Sequence, residues 1–340
     1  MSAAGDPLLR VEGLRTWFPI RRGLLRRVVG HVRAVDGVDL AVDAGRTLAL
    51  VGESGCGKTT VGRSILGLER PREGRVLFEG TDLAALDRAA LRPYRKRIQI
   101  VFQDPLASLD PRMRVRDIVA EGMQAFRLGA NEAERTERVA DILARVRLDP
   151  GQMWRYPHEF SGGQRQRIGI ARALAVEPKL LICDEAVSAL DVSIQAQILN
   201  LLGDIQQELG LGYLFITHDL SVVRYLAHQV SVMYLGQIVE TGPTERVFDA
   251  PAHPYTRGLL AAVPSVDPAQ RDIEVRVLGD VPSPARPPEG CRFHTRCPEV
   301  FDRCRREPPP LYPVPAGTSR CFLSDGRRGR DVGDGAASLT

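Results

Sequence analysis

GESGCGKT, residues 52–59, matches the phosphate-binding pattern G-x-x-x-x-G-K-[ST] at every position. The apolar run at residues 47–51 before it is typical of a buried parallel strand. Residues 60–67 after it are typical of a helix that ends ahead of Pro71. A strand, a glycine-rich loop and a helix in this order predict an α/β fold with a phosphate-binding loop at its centre.

Each residue type in this loop has a chemical task. The glycines let the backbone turn so that successive N–H groups point at phosphate oxygens, and the helix N-terminus adds partial positive charge. Lys58 would bridge the β- and γ-phosphates of a nucleotide, and the Thr59 hydroxyl would bind Mg²⁺. The predicted nucleotide-binding residues of this segment are Gly52, Ser54, Gly55, Gly57, Lys58, Thr59 and Thr60.

Composition places few limits on function. The 340 residues favour about two domains, and a hydrophobic content of 44% is enough to bury real cores. No apolar run approaches the roughly 18 residues that span a bilayer, and the N-terminus lacks a signal-peptide pattern, so a cytoplasmic protein is expected. The net charge of +4 is small and its arginines are scattered, which permits nucleic acid binding without indicating it.

Beyond the loop, the hydrophobic pattern alternates between short strands and helices. A basic loop is expected over residues 21–27, as a solvated insertion in preference to a membrane-surface contact. An inserted helical segment is expected over about residues 105–176. Strands separated by helices of this length form a mostly parallel sheet covered on both faces, with ligands at the carboxyl ends of the strands. Strands are predicted at residues 8–18, 34–40, 47–51, 74–80, 98–103, 179–184 and 213–217, and helices at 60–67, 115–126, 131–146 and 194–209.

Residues 180–185, Leu-Leu-Ile-Cys-Asp-Glu, form an apolar strand that delivers two carboxylates at its end. Asp184 is predicted to hold Mg²⁺, and Glu185 to orient and deprotonate a water molecule. A surface turn is the alternative for two adjacent acids, but the phosphate loop upstream favours the catalytic interpretation. The loop by itself leaves kinases, GTPases, helicases and transport ATPases open.

A helix is predicted to begin at Ser161-Gly162-Gly163-Gln164, ahead of this strand. This segment narrows the choice among the classes of P-loop protein. Physically it is a second phosphate-binding helix N-terminus, with a serine hydroxyl and glycine amides for a γ-phosphate. The sequence resembles the ATP-binding subunits of ABC transporters, in which Ser-Gly-Gly-Gln is the signature segment. Phe160 stands where the family usually has leucine. The resemblance implies a RecA-like P-loop ATPase core with antiparallel β and helical subdomains.

The resemblance also implies further functional residues. Gln103 resembles the glutamine of the Q-loop, a catalytic residue and Mg²⁺ ligand. Asp191 resembles the aspartate of the D-loop, which contacts nucleotide, and His218 the catalytic switch histidine. Phe18 looks like the aromatic residue on which adenine stacks, with Trp17 as the alternative.

Three segments, residues 101–105, 184–191 and 253–260, resemble the oligopeptide/dipeptide importer branch of this family. Nickel importers are similar in the same segments, so the cargo stays open. The resemblance runs from about Leu8 to Pro310. It implies an ABC ATP-binding domain at residues 1–250, a peptide-importer C-terminal extension with four cysteines at 251–325 and a disordered tail at 326–340.

The family implies a head-to-tail pair of ATP-binding subunits, with ATP between Lys58 of one chain and Ser161 of the other. A heterodimer with a second homologous ATPase is expected, with two transmembrane permeases and an extracytoplasmic peptide-binding protein. The location implied is the cytoplasmic face of the membrane, with no nucleic acid partner.

A soluble ABC protein acting on nucleic acid or ribosomes ordinarily carries two cassettes and a basic linker, and this chain has one cassette. A regulatory protein without turnover is disfavoured by the intact pair of Asp184 and Glu185.

The cysteines Cys291, Cys297, Cys304 and Cys321 follow the proline-rich residues 282–288. In a reducing compartment a metal explains such a cluster more often than disulfides, and independent structural cysteines are the other alternative. The intervals lack the C-x-x-C pairs of zinc ribbons and the tight ferredoxin run, so spacing alone does not choose. The resemblance implies a [4Fe–4S] cluster, with zinc as the alternative. The cluster is expected to staple the extension, distant from the ATP chemistry and not required for hydrolysis.

Overall fold

A computed structural model describes residues 6–23, 26–262 and 279–326. The tail expected to be disordered, residues 326–340, lies outside these ranges except for Gly326. The strands are β1 Leu9–Arg22, β2 Arg27–Val42, β3 Thr47–Val51, β4 Glu73–Phe78, β5 Thr81–Asp82, β6 Ile98–Val101, β7 Leu180–Asp184, β8 Gly212–Thr217, β9 Gln229–Tyr234, β10 Gln237–Pro243, β11 Tyr312–Val314 and β12 Gly317–Ser319. The α-helices are α1 Lys58–Ile65, α2 Arg92–Arg97, α3 Pro105–Ser108, α4 Val115–Ala125, α5 Glu132–Arg145, α6 Gly162–Leu174, α7 Val192–Leu209, α8 Leu220–Leu226, α9 Thr244–Asp249, α10 Pro254–Ala261 and α11 Asp302–Arg306.

The main sheet has the strand order β11-β12-β10-β9-β3-β8-β7-β6. Strands β9, β3, β8, β7 and β6 are parallel, and β10, β12 and β11 add an antiparallel edge. All five residues of β3 are buried, as expected for a strand covered on both faces. Val51 pairs with Thr217, and Asp184 with Ile216, so β3, β7 and β8 end at the same edge. The predicted meeting of functional residues at the carboxyl ends of the strands is therefore built into the sheet.

A second, antiparallel sheet has the order β2-β1-β4-β5. Here one prediction was wrong: β1 does not end before Pro19 but continues to Arg22, which pairs with Arg27 of β2. Arg21, Arg22 and Arg27 of the expected basic loop therefore lie in strands. The register of β1 with β4 stops at Arg15, so farther along β1 pairs with β2 alone. A proline is tolerated in such an edge region, where the ladder does not need its missing N–H.

Helices α3 to α6 stand between β6 and β7, in the segment where helices were expected. Asn131 begins α5 by accepting a hydrogen bond from the Glu134 N–H at 2.9 Å. The apolar faces of α4, α5 and α6 share one core with β7 and β8. Its fully buried members include Val119, Met123, Val139, Leu143 and Ile170. Within the described ranges, no helix is long and apolar enough to cross a membrane.

The C-terminal segment packs on the main sheet. Strand β12 pairs with β10, Glu240 opposite Ser319, so this segment extends the main sheet. Phe293 is 1% exposed and lies in a cluster with Ala49 and Val51 of β3, just before the phosphate loop. The limits predicted for the extension remain a prediction.

Candidate active site

The phosphate loop is shaped by glycines that no other residue could replace. Gly57 has φ +111°, and a Cβ atom there would lie 2.0 Å from the Ala34 carbonyl oxygen. At Gly52 a Cβ atom would lie 2.1 Å from the Met233 carbonyl oxygen. The loop therefore fits between β2 and β9 only without side chains at these points.

The Lys58 side chain crosses the interior of the phosphate loop. Its side chain is buried, and its Nζ donates to the carbonyl oxygens of Gly52 at 2.7 Å and Glu53 at 3.0 Å. Both acceptors are neutral carbonyl groups, so the positive charge of Lys58 is not cancelled by an ion pair in these contacts. An ammonium held in this way at the start of α1 is suited to bind phosphate.

Thr59 and Asp184 join the phosphate loop to β7. The Thr59 hydroxyl donates to Asp184 Oδ1 at 3.0 Å. Burial raises the pKa of Asp184, and the Thr59 hydrogen bond and the cations Arg63 and Lys58 oppose that rise. Two oxygen ligands side by side, one of them a carboxylate, suit Mg²⁺, which uses few protein ligands besides water and phosphate. The two residues predicted to bind Mg²⁺ are thus brought together.

Glu185 and His218 face each other across the ends of β7 and β8. His218 Nδ1 lies 3.3 Å from Glu185 Oε1, and Glu185 adopts φ +49° while its N–H donates to Ile216 O at 2.9 Å. A positive φ at a glutamate is uncommon and often marks a functional turn. Both side chains border a cleft of about 460 Å³, together with Gly52, Glu53, Ser54, Gln103, Leu220 and Leu259. The three predicted catalytic residues Gln103, Glu185 and His218 therefore line one cleft with the phosphate loop.

Trp17 and Phe18 differ in their surroundings. The Trp17 ring lies against the guanidinium groups of Arg33 and Arg72, 4.9 Å and 4.6 Å from its centre, and its Nε1 donates to Asp36 at 3.2 Å. The Trp17 ring is therefore already engaged by side chains of its own chain. They favour Phe18 as the adenine-stacking residue, a role that remains a prediction.

The signature segment begins α6. Ser161 Oγ accepts from the Gln164 N–H at 3.4 Å, and Gln164 Oε1 accepts from the Ser161 N–H at 2.9 Å, which forms a capping box. Ser161 and Gly162 are exposed, whereas Gly163 is buried against Ile194. None of these residues is among those that line the cleft beside Lys58.

Asp191 also lies apart from that cleft. It is exposed at the N-cap of α7, and its side chain makes no cap hydrogen bond to the helix. The structure therefore separates two groups of predicted nucleotide-binding residues. The phosphate loop and the ends of β7 and β8 form one group, and the signature segment with Asp191 forms the other.

The C-terminal extension reaches the phosphate loop, a contact that was not predicted from the sequence. The expectation that the cysteine cluster itself lies distant from the ATP chemistry stays a prediction. Arg296 binds the Glu53 carboxylate through Nη1 at 2.7 Å and Nη2 at 3.1 Å. The Glu53 N–H donates to Tyr255 Oη at 3.0 Å. Phe293 packs beside these contacts, with its ring 5.3 Å from that of Tyr234 and 5.4 Å from that of Tyr255.

A second arginine of this segment reaches the other sheet. Arg292 forms a buried ion pair with Asp36, the residue that also binds Trp17. Sequence patterns gave no signal for these contacts, because an arginine beside a cysteine has no characteristic spacing to its partner.

The four C-terminal cysteines gather around one small cavity. All four are unpaired thiols that line it with His253 and Phe293: Cys291, Cys297, Cys304 and Cys321. Burial raises the pKa of Cys291 to about 11 and that of Cys321 to about 12. Among the residues that the structure describes, no group of three or more His, Cys, Asp or Glu side chains is arranged to hold a metal ion. The thiols are thus brought together, but their arrangement does not by itself support a metal site.

Comparison with known families agrees with the geometry. Residues 35–188 match the family model described as ABC transporter. Residues 239–304 match the model described as oligopeptide/dipeptide transporter, C-terminal region. The second match covers β10, the arginines beside the phosphate loop and three of the four clustered cysteines.

Relatives and solved structures extend this agreement. The chain is 54% identical over 312 residues to "Probable peptide ABC transporter ATP-binding protein y4tS" of Sinorhizobium fredii, covering 92% of this chain and 88% of that protein. It is 50% identical over 313 residues to the oligopeptide transport ATP-binding protein AppF of Bacillus subtilis, covering 91% and 95%. The ATP-binding cassette MJ0796, solved as a post-hydrolysis dimer with ADP and Pi, superimposes with a TM-score of 0.62 at 27% identity, covering 69% of this chain and 98% of that chain.

The predicted fold class, an α/β ABC ATPase core with antiparallel β and helical subdomains, is confirmed by this structural likeness. The prediction of an ATPase is likewise confirmed at the level of the family. This chain belongs to the ABC transporter ATP-binding proteins, as an ATPase of the peptide transporter branch.

Proposed function

We propose that this chain hydrolyses ATP to energise the import of peptides through a membrane ABC transporter. The observation that carries the proposal is the cleft in which Glu185 and His218 face the phosphate loop, next to the contact between Thr59 and Asp184. A glutamate in that place can act on water beside a bound γ-phosphate. The peptide cargo is supported by the printed names of y4tS and AppF.

In this proposal each residue of the cleft has one task. Lys58 and the loop N–H groups bind phosphate, and Phe18 stacks on adenine. Thr59, Asp184 and Gln103 would hold Mg²⁺, which would neutralise charge on the phosphates. Glu185 accepts a proton from water, and His218 fixes the orientation of the Glu185 carboxylate through their contact.

We propose that the ATP site is completed by a partner subunit. Ser161, Gly162, Gly163 and Gln164 are presented at a helix N-terminus outside the cleft, where they suit a phosphate bound by another chain. The dimeric state of MJ0796 with ADP and Pi supports this arrangement. The partner expected is a second homologous ATPase, with Asp191 near the shared surface.

Membership of this family also suggests the other subunits of the transporter complex. We propose two transmembrane permeases and an extracytoplasmic peptide-binding protein as partners, with this chain on the cytoplasmic face of the membrane. Nucleotide-driven closing and opening of the ATPase pair would move the permeases as rigid bodies. No nucleic acid partner is proposed.

We further propose a [4Fe–4S] cluster on the four clustered cysteines. Four unpaired thiols around one cavity match the ligand count of that cluster. A single zinc ion needs all four sulfurs about 2.3 Å from one point, whereas a cluster spreads them over four iron atoms.

The transport proposal is tested by purifying the tagged full chain from membranes of its own organism and identifying the proteins that accompany it. Two permeases and a second ATPase are expected. The purified complex, reconstituted in vesicles, should hydrolyse ATP faster when a peptide-loaded binding protein is added. Stimulation by a nickel-loaded protein, with no response to peptides, would replace peptide by nickel as the cargo.

A further inference from the structure

Glu53 puts a negative charge into a loop that binds phosphate. It follows Gly52, its carbonyl oxygen accepts from Lys58 at 3.0 Å, and it lines the cleft with Glu185. A nucleoside triphosphate brings several negative charges to the same place. An uncompensated carboxylate there would repel the phosphates, and the effect would be strong at short range because the loop is partly shielded from water.

The C-terminal extension supplies the compensating charge. Arg296 binds both carboxylate oxygens of Glu53, and the exposed fractions of the two side chains are 9% and 28%. Two parallel hydrogen bonds between a guanidinium and a carboxylate fix direction as well as charge. The Tyr255 hydroxyl also accepts from the Glu53 N–H, so side chain and backbone of Glu53 are both held by residues beyond position 250.

We propose that Arg296 is a positioning residue of the nucleotide site, which neutralises Glu53 and fixes it so that the phosphate loop binds nucleoside triphosphate with full affinity. The C-terminal extension is then part of the ATP site of its own chain. It acts on the affinity for nucleotide through charge, not on the chemical step.

This segment is also anchored by contacts that do not involve Arg296. Phe293 is buried among aromatic rings, and Arg292 is paired with Asp36 on the other side of the segment. Arg296 Nε also donates to the Gly279 carbonyl oxygen at 3.2 Å, a contact that lysine would lose. Replacing Arg296 is therefore expected to remove a charge from Glu53 while the segment stays in place.

The test compares four variants of the full chain by titration with ATP and Mg²⁺: Arg296→Gln, Arg296→Lys, Glu53→Gln and the double variant Arg296→Gln/Glu53→Gln. Arg296→Gln should weaken ATP binding roughly tenfold, and the loss should shrink at high salt. Arg296→Lys keeps the charge without the paired hydrogen bonds, so its loss should be smaller.

The double variant separates this role from a purely structural one. Without the Glu53 charge there is nothing to neutralise, so the double variant should regain most of the lost affinity. Glu53→Gln by itself should bind ATP as tightly as the unmodified chain or more tightly. In the assembled transporter, Arg296→Gln should raise KM for ATP and leave kcat nearly unchanged.

Arg303→Gln is the matched control, because Arg303 forms ion pairs elsewhere in the extension, with Glu307 at 3.1 Å and Asp325 at 3.0 Å. Its ATP affinity should not change. The proposal is overturned if Arg296→Gln binds ATP normally, or if the double variant binds as weakly as Arg296→Gln. If Arg296→Gln does not fold, Glu53→Gln still decides, since weaker ATP binding by that variant contradicts the repulsion on which the proposal depends.

Discussion

His218 Nδ1 lies 3.3 Å from Glu185 Oε1, so the ends of two adjacent parallel strands are joined by a contact between side chains. Glu185 is 16% exposed at its side chain and His218 56%, so the pair sits at the wall of the cleft with the glutamate deeper. The φ of +49° at Glu185 turns its side chain away from the path of β7. This geometry orients the carboxylate to accept a proton from a water molecule that attacks the γ-phosphate.

Glu185→Gln should therefore keep ATP binding and lose turnover by roughly a hundredfold or more, because the amide cannot accept the proton of water. Lys58, Thr59 and Asp184 are unchanged in this variant. Phosphate release by the assembled complex measures turnover, and titration with ATP measures binding. Glu208→Gln, on the exposed part of α7, is the control and should be fully active. Near-normal phosphate release by Glu185→Gln would remove Glu185 from its catalytic role.

Ser161→Arg should abolish hydrolysis without weakening nucleotide binding at Lys58 of the same chain. The reason is that Ser161 lies outside the cleft of its own chain and is expected to serve a nucleotide held by the partner. Ser161→Ala is the control, because it loses the same helix cap, at about 1 kcal/mol, without adding bulk. If the isolated Ser161→Arg chain binds an ATP analogue as poorly as Lys58→Ala, the two-chain site is wrong.

Gly163→Ala should destabilise the signature helix. A Cβ atom at Gly163 would lie 2.4 Å from Ile194 Cγ2, and the branched side chain of Ile194 cannot move aside freely. We expect a loss of roughly 1–3 kcal/mol in the free energy of unfolding, measured with denaturant. Gly169→Ala in the same helix is the matched control, since a Cβ atom there would meet nothing within 4 Å. That control should be more stable by about 0.5–1 kcal/mol, and equal effects in both variants would contradict the packing argument.

The parts of the site that could be predicted are those with short-range patterns. Thr59 and Asp184 lie 125 positions apart, yet their contact follows from two local signals, because each ends or follows a parallel strand of the same sheet. Glu185 and His218 follow from the same rule. A functional residue at the end of a parallel strand can be placed from the sequence, because the carboxyl ends of these strands meet at one edge of the sheet.

Contacts without such a rule were missed. Arg296 and Glu53 are 243 positions apart, and their pairing depends on how Phe293 packs against Tyr234. The pairing of β10 with β12 likewise depends on the path of a proline-rich segment. Neither sequence periodicity nor charge pattern specifies such a path, so the contact between the extension and the phosphate loop was not predicted.

The cysteine cavity gives the last prediction. Cys291, Cys297, Cys304 and Cys321 are unpaired and share one cavity, and such thiols stay reduced in a reducing cell with or without a metal. If a [4Fe–4S] cluster is present, protein purified without oxygen should be brown and contain iron and acid-labile sulfide in comparable amounts. Cys297→Ser should lose both, whereas Cys56→Ser, in the phosphate loop, should keep them. Stoichiometric zinc without sulfide would identify a zinc site, and neither metal in the unmodified protein would leave the four thiols as independent structural residues.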